Sequence, residues 1–268
     1  MAFASLSMYD LPELRPATDA WWQGLARAFR REGITDVPDA LDHHEAYQDI
    51  WLRPDLLFSQ TCGYPLTHAL AGKVELLATP CYGTEGCEGP NYCSFVMVAA
   101  DSAASAIADL RGQRCAVNSL DSQSGCNALR QLVAPAAKNG RFFGSVTLTG
   151  GHQQSLALVA SGQADVAAVD CVTHGLLARH RPRALAGTRV LCRTASAPGL
   201  PYVTRAGAAA DLLRRLRAGL ERAVADPELA EARRALLLEG AAMLPIAAYE
   251  RIDELEVAAI AAGYPEIA

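Results

Sequence analysis

Lysine is nearly missing from this 268-residue chain; it stands only at Lys73 and Lys138, and the formal net charge is −5. A general nucleic-acid binder needs a basic face, so that class is set aside. Long apolar runs are missing too: each is broken well before the ~20 residues that a membrane-spanning helix requires, so no membrane insertion is expected. No basic stretch precedes an apolar run at the start, where Phe3–Met8 already read as a strand. The expectation is a cytoplasmic chain as written, or a periplasmic one where an export segment has been trimmed.

Close cysteine pairs are also lacking. Cys81, Cys87 and Cys93 stand six apart in the loop CYGTEGCEGPNYC, without the CxxC spacing that marks a structural metal site. Incidental thiols, a Cys81–Cys87 disulfide and a metal site are three readings of that loop, with incidental thiols the working one. His43, His44 and Glu45 form a second cluster with the look of a solvated surface. Cys171 and His174 share a helical face, but no further ligands join them in the sequence. No metal and no cofactor are expected.

What the chain does have is half its residues hydrophobic and a fifth charged, the balance of an ordinary globular protein with a sizeable core. Short apolar runs alternate with amphipathic stretches, which is an α/β pattern. Strands are expected at Phe3–Ser7, Ile34–Pro38, Asp55–Phe58, Val74–Thr79 and Tyr92–Ala100. Further strands follow at Cys115–Asn118, Val146–Leu148, Asp165–Val169 and Arg189–Arg193. Helices are expected at Pro16–Arg31, Tyr64–Ala71, Ala103–Leu110, Gly125–Val133, Gln153–Ser161 and Cys171–His180, and beyond Pro198–Thr204 the rest reads as helical. The Arg205–Arg234 stretch mixes seven arginines with five acids, the composition of a solvated helix face. The rhythm restarts near residue 100 and returns near residue 193. This suggests one lobe from 1–97 plus 194–268 and a nested lobe from 98–193, joined by extended crossings near Val96–Ala100 and Val190–Arg193.

Three strand-to-helix turns concentrate small polar residues: Ser59–Tyr64, Asn118–Gly125 and Thr149–Ser155. The first amides of a helix lack intrahelical partners and the helix dipole favours negative charge there. In an open α/β sheet such turns fall at the carboxyl ends of strands, where ligands sit. Any one of these serines or threonines would serve as an ordinary N-cap; three turns with more polar groups than capping requires point to a polar, anionic ligand. Asp170 closes the strand 165–169 and reads equally as a ligand acceptor or as the cap of the next helix. Tyr9, Asp10, Tyr82, Asn91 and Tyr92 are further candidates for the ligand cleft.

The runs DLRGQRCAVNSLDSQSGCNALR and FFGSVTLTGGHQQSLALVASGQADVAAVDCVT resemble the phosphate/phosphonate-binding proteins of ABC transporters. The likeness covers residues 50–205 best. It implies a type II periplasmic-binding fold, two α/β lobes that close on a ligand by hinge motion, with a small anion as ligand and transporter membrane subunits as partners. Carried over position by position, it implies ligand contacts from Asp121, Ser122, Gln123, Ser124, His152 and Asp170, with Thr61, Cys62 and Tyr64 from the first turn. This chain departs from the family where the first turn reads Gln-Thr-Cys-Gly and the second DSQSG. Two other classes stay open: an enzyme of cofactor-precursor synthesis on the same fold, with Cys62 or Cys126 as a thiol and His68 or His152 nearby, or a ligand-sensing module. The first reading assigns no chemical step to the chain.

Overall fold

The computed structural model describes residues 2–44 and 47–268. The chain divides into two compact units, Met1–Gly83 with Pro198–Ala248, and Thr84–Ala197 with Tyr249–Ala268.

The first unit is built on a sheet ordered Phe3–Ser5, Leu56–Gln60, Tyr202–Arg205, Val74–Tyr82, Leu238–Ala242. The first pair is parallel and the remaining neighbours are antiparallel. Every side chain of Leu56–Gln60 is buried, as expected of a strand covered on both faces. The helix Arg15–Arg31 turns Trp21, Trp22, Leu25 and Phe29 onto this sheet. Phe58 is the meeting point: its ring lies 6.1 Å from Trp22, 5.5 Å from Phe29 and 4.7 Å from Tyr202. Each such buried side chain contributes about 1.5–3 kcal/mol relative to exposure. The helix Ala210–Ala225 buries Leu216, Leu220 and Ala223 in the same core. It approaches closely because Gly219 leaves room for Phe29, whose Cδ1 would lie 2.5 Å from an added Cβ.

Two segments differ from expectation here. Ile34–Pro38 is irregular rather than a strand, and side chains instead of a neighbouring strand take up the Val37 and Pro38 carbonyls. Trp22 Nε1 donates to the Pro38 carbonyl, Arg30 Nη2 donates to that of Val37, and Asp36 accepts from the Ala2 amide. The tail beyond residue 204 is not wholly helical: Leu238–Ala242 is an edge strand on Val74–Tyr82.

The second unit carries a sheet ordered Thr188–Arg193, Ser94–Ala99, Val166–Asp170, Arg114–Val117, Ser145–Leu148. The last three strands are mutually parallel, and the first two join them antiparallel. Val96, Val98, Val117, Leu129, Val133, Phe142 and Val166 fill one face together with Ala259, Tyr264 and Ile267 from the C-terminus. The unit bounds therefore differ from the expected lobes. Residues 84–97, 194–197 and 249–268 join the middle of the chain, and the supposed crossings Val96–Ala100 and Val190–Arg193 are paired strands of one sheet.

Two helices are shorter than the sequence pattern predicts. Ala103–Leu110 reduces to a single 3₁₀ turn at Ile107–Leu110, and Gly63–Thr67 stops well short of Ala71. Gly162, at φ +70°, ends the helix His152–Ala160 in the left-handed conformation that glycine adopts without strain.

Candidate functional site

Parallel register places three turns side by side in the second unit. Arg114–Val117 pairs in parallel with Ser145–Leu148 on one side and Val166–Asp170 on the other, with Val117 opposite Leu148 and Ala116 opposite Ala167. The chain therefore leaves all three strands at the same sheet edge, into 118–125, 149–151 and Asp170. The first two turns are also bonded, because the Gly150 amide donates to the Asn118 carbonyl and the Thr149 amide to that of Val117.

The first turn closes on a serine. Ser122 is the N-cap, and its Oγ accepts from the Gly125 amide at 3.0 Å. Gln123–Asn127 then forms a π-helical turn, in which the Asn127 amide reaches back to the Ser122 carbonyl at 3.0 Å. Such turns concentrate at functional sites. Ser122, Gln123, Ser124, Gly125, Cys126 and Asn127 are all buried. Gly125 is required by packing: a Cβ there would lie 1.8 Å from Asn118 Oδ1. Asp121 stands one residue ahead of the cap, half-buried, with Ser119 Oγ donating to its Oδ1.

His152 opens its helix directly after Gly151. Its Nε2 lies 3.1 Å from Ser124 Oγ and 3.8 Å from Asp170 Oδ2, and Ser124 Oγ is 3.4 Å from Ser122 Oγ. Burial holds the His152 pKa below the usual histidine range, opposed by the Asp170 carboxylate and the Ala168 carbonyl. At neutral pH the ring is therefore uncharged. It can donate from one nitrogen while the other accepts.

Asp170 caps the helix Cys171–His180: Oδ1 accepts from the Thr173 amide and Oδ2 from Thr173 Oγ1, both at 2.8 Å. Capping is thus an observed role, and it aims the carboxylate so that the same Oδ2 faces His152. Ser122, Ser124, His152 and Asp170 form a continuous polar cluster of hydroxyls, a neutral imidazole and a carboxylate. Ser94, not singled out from the sequence, supports it by donating from Oγ to the Ser124 carbonyl at 2.9 Å. Its only sequence signal is a polar residue opening an apolar strand.

A second set lies in the first unit. Leu56–Gln60 leads into Thr61, Cys62 and Gly63, all buried, with Tyr64 half-buried. The Thr61 amide donates to the Pro201 carbonyl and Thr61 Oγ1 to that of Cys62 at 3.4 Å. Gln60 donates from Nε2 to Tyr82 Oη and the Leu200 carbonyl, and Tyr82 meets Tyr9 edge-on at 5.5 Å. Tyr64 stacks on His68 at 3.8 Å. Asp10 does not stand free as a cleft acid; Arg15 binds it bidentately and His43 lies 3.6 Å away. His43 also meets Asp19 at 2.9 Å, while Glu45 of the histidine cluster lies outside the described residues.

Tyr92 is buried in the second unit, on a short hairpin strand opposite Cys87. His174 packs edge-on to Phe95 at 4.9 Å rather than joining a ligand set with Cys171. Among the described residues no group of three or more His, Cys, Asp and Glu side chains is arranged to hold a metal ion. None of the described helices is long and apolar enough to cross a membrane.

The architecture is that of solute-binding proteins. The binding protein component of a Pseudomonas aeruginosa phosphonate ABC transporter superposes with a TM-score of 0.77 at 17% identity, over 98% of this chain and 87% of that one. PhnD1 from Prochlorococcus marinus, in complex with methylphosphonate, gives 0.76 at 13% identity over 96% and 97%. A Xanthomonas citri protein bound to ATP gives 0.70 at 18% identity over 98% of both chains. These likenesses show the two-lobed α/β fold. The sequence comparison with curated proteins returns no match. Residues 53–246 match the family described as ABC transporter, phosphonate, periplasmic substrate-binding protein, and the chain belongs to that family. It is a solute-binding protein, and the family is not one of enzymes.

Proposed function

We propose that the chain binds a small phosphorus oxyanion, a phosphonate or phosphate, and presents it to the membrane subunits of an ABC transporter from the periplasmic side. The observation that carries this reading is the convergence of Ser122, Ser124, His152 and Asp170 at one edge of the second sheet. Two hydroxyls and the neutral imidazole supply hydrogen-bond donors to phosphoryl oxygens, and first-turn amides add the field that favours anions. The Asp170 carboxylate accepts from a protonated ligand oxygen or an amine, so the cluster favours a ligand that keeps a proton over a fully ionised one. Asp121, Gln123 and Tyr92 are assigned to the same ligand. Thr61, Cys62, Tyr64 and Tyr9 are proposed as the ligand-binding residues of the first unit.

A thermal-shift panel of methylphosphonate, an aminophosphonate, phosphate, sulfate, a small carboxylate and ATP tests the reading. A ligand at a hundredfold excess over its dissociation constant stabilises the fold by about 2.7 kcal/mol. The expected result is an upward shift for a phosphonate or phosphate that disappears in Asp121→Ala/Ser122→Ala. A shift for ATP alone, or for carboxylates alone, contradicts the assigned ligand class.

A further inference from the structure

A thiol cluster stands apart from the polar site. Gly86 turns the chain at φ +92°, and the loop after it forms the hairpin Cys87–Glu88 against Asn91–Tyr92. The Cys93 amide returns to the Gly86 carbonyl, and the Cys171 amide donates to the Cys93 carbonyl at 3.0 Å. These backbone bonds bring three sulfurs together. Cys87 Sγ lies 3.4 Å from Cys171 Sγ. A Cβ placed on Gly86 would stand 2.7 Å from Cys171 Cβ, 3.0 Å from Cys93 Sγ and 3.1 Å from Cys171 Sγ, so only glycine lets the loop lie against them. Cys171 and Cys93 are buried and Cys87 is half-exposed. Hydrogen bonding to Cys87 and burial push the Cys171 thiol above its ordinary range, and hydrogen bonding to Cys171 and burial do the same for Cys93. Cys87 is therefore the sulfur that a reagent in solution reaches first.

We propose that Cys87 and Cys171 are a modification site, closing to a reversible disulfide in the presence of a small-molecule disulfide oxidant. The Cys87 thiolate attacks one sulfur of the oxidant, forming a mixed disulfide and releasing the first thiolate. Cys171 then attacks the Cys87 sulfur, its proton passes to the second departing thiolate, and the protein disulfide forms. The two cysteines are oxidised by two electrons and the oxidant is reduced to two thiols. Closing the pair needs the sulfurs to move from 3.4 Å to about 2.05 Å. The bond would pin the loop to the first residue of the helix that Asp170 caps. This pairing replaces the Cys81–Cys87 bridge that the loop spacing suggested.

The test uses the full chain, without any transport ligand. The protein is incubated with oxidised glutathione under native conditions, free thiols are alkylated, and peptides are mapped by mass spectrometry. The expected product is a Cys87–Cys171 cross-link that dithiothreitol reverses, that survives in Cys81→Ser, and that is absent from Cys87→Ser. Alkylation of Cys87 and Cys171 as separate thiols in oxidised wild-type protein, or Cys93 as the principal partner of Cys171, would overturn the proposal. The wild-type peptide map decides between these outcomes by itself, so a folding defect in Cys87→Ser does not obscure them.

Discussion

His152 carries the sharpest consequence at the scale of single residues. In the unfolded chain it takes up a proton near pH 6.5, whereas in the folded protein burial resists that proton. Below that pH the unfolded state binds more protons, so this residue's contribution is present above about pH 6.5 and declines as the pH falls. His174, also depressed by burial, acts in the same direction and remains as background. Replacing His152 with Gln, which keeps a donor and an acceptor but does not titrate, is expected to remove part of this slope. Thermal melts of wild type and His152→Gln from pH 7.5 to 5.5 check it. The wild-type midpoint should fall more steeply, and parallel pH profiles would refute the burial argument. The serines around it were legible in the sequence because N-cap chemistry and strand ends announce themselves locally. Ser94 was not, since its role depends on a turn residue thirty positions away in sequence.

Between elements, the first turn of the site and the C-terminal tail share one polar network. Arg130 donates from Nη2 to Asn127 Oδ1 at 2.7 Å and to Glu256 Oε1 at 2.8 Å, and from Nη1 to the Pro265 carbonyl at 2.6 Å. Asn127 in turn donates to Gln123 Oε1 and to the Ile252 carbonyl. The Arg130 side chain is 9% exposed and that of Glu256 19%, so removing the guanidinium breaks a largely buried ion pair and three hydrogen bonds at once. Arg130→Met is expected to cost about 3 kcal/mol, read by urea melts, with early hydrogen exchange in the tail. A loss below about 0.5 kcal/mol would mean that apolar packing alone holds it. This network also explains why the sequence pattern misplaces the tail. The helix Glu250–Ala261 shows an apolar face in its pattern, but periodicity does not say which core that face meets. Leu238–Ala242 escaped for a different reason: Gly240, Ala241 and Ala242 have no β character of their own, and only pairing with Val74–Tyr82 makes them a strand. Central strands such as Leu56–Gln60 and Val166–Asp170, apolar and bounded by turn residues, were readable without that help.

For the whole molecule, family membership and the polar cluster converge on anion binding without chemistry. The family match spans both units, while the most specific side-chain geometry, Ser122–Ser124–His152–Asp170, lies within the second. That division suits a protein whose task is to recognise and release. No side chain in the cluster needs activation as a nucleophile; each has a hydrogen-bonding role already set by its backbone position. The alternative of thiol catalysis through Cys126 is disfavoured on the same ground, because burial pushes that thiol up to about 11, away from the reactive thiolate. Calorimetric titration of the wild-type protein and Ser122→Ala/Ser124→Ala with methylphosphonate asks whether this cluster holds the ligand. Saturable one-site binding to the wild type is expected, with at least a tenfold weaker affinity in the folded double variant. Equal affinity in both proteins would place the ligand elsewhere.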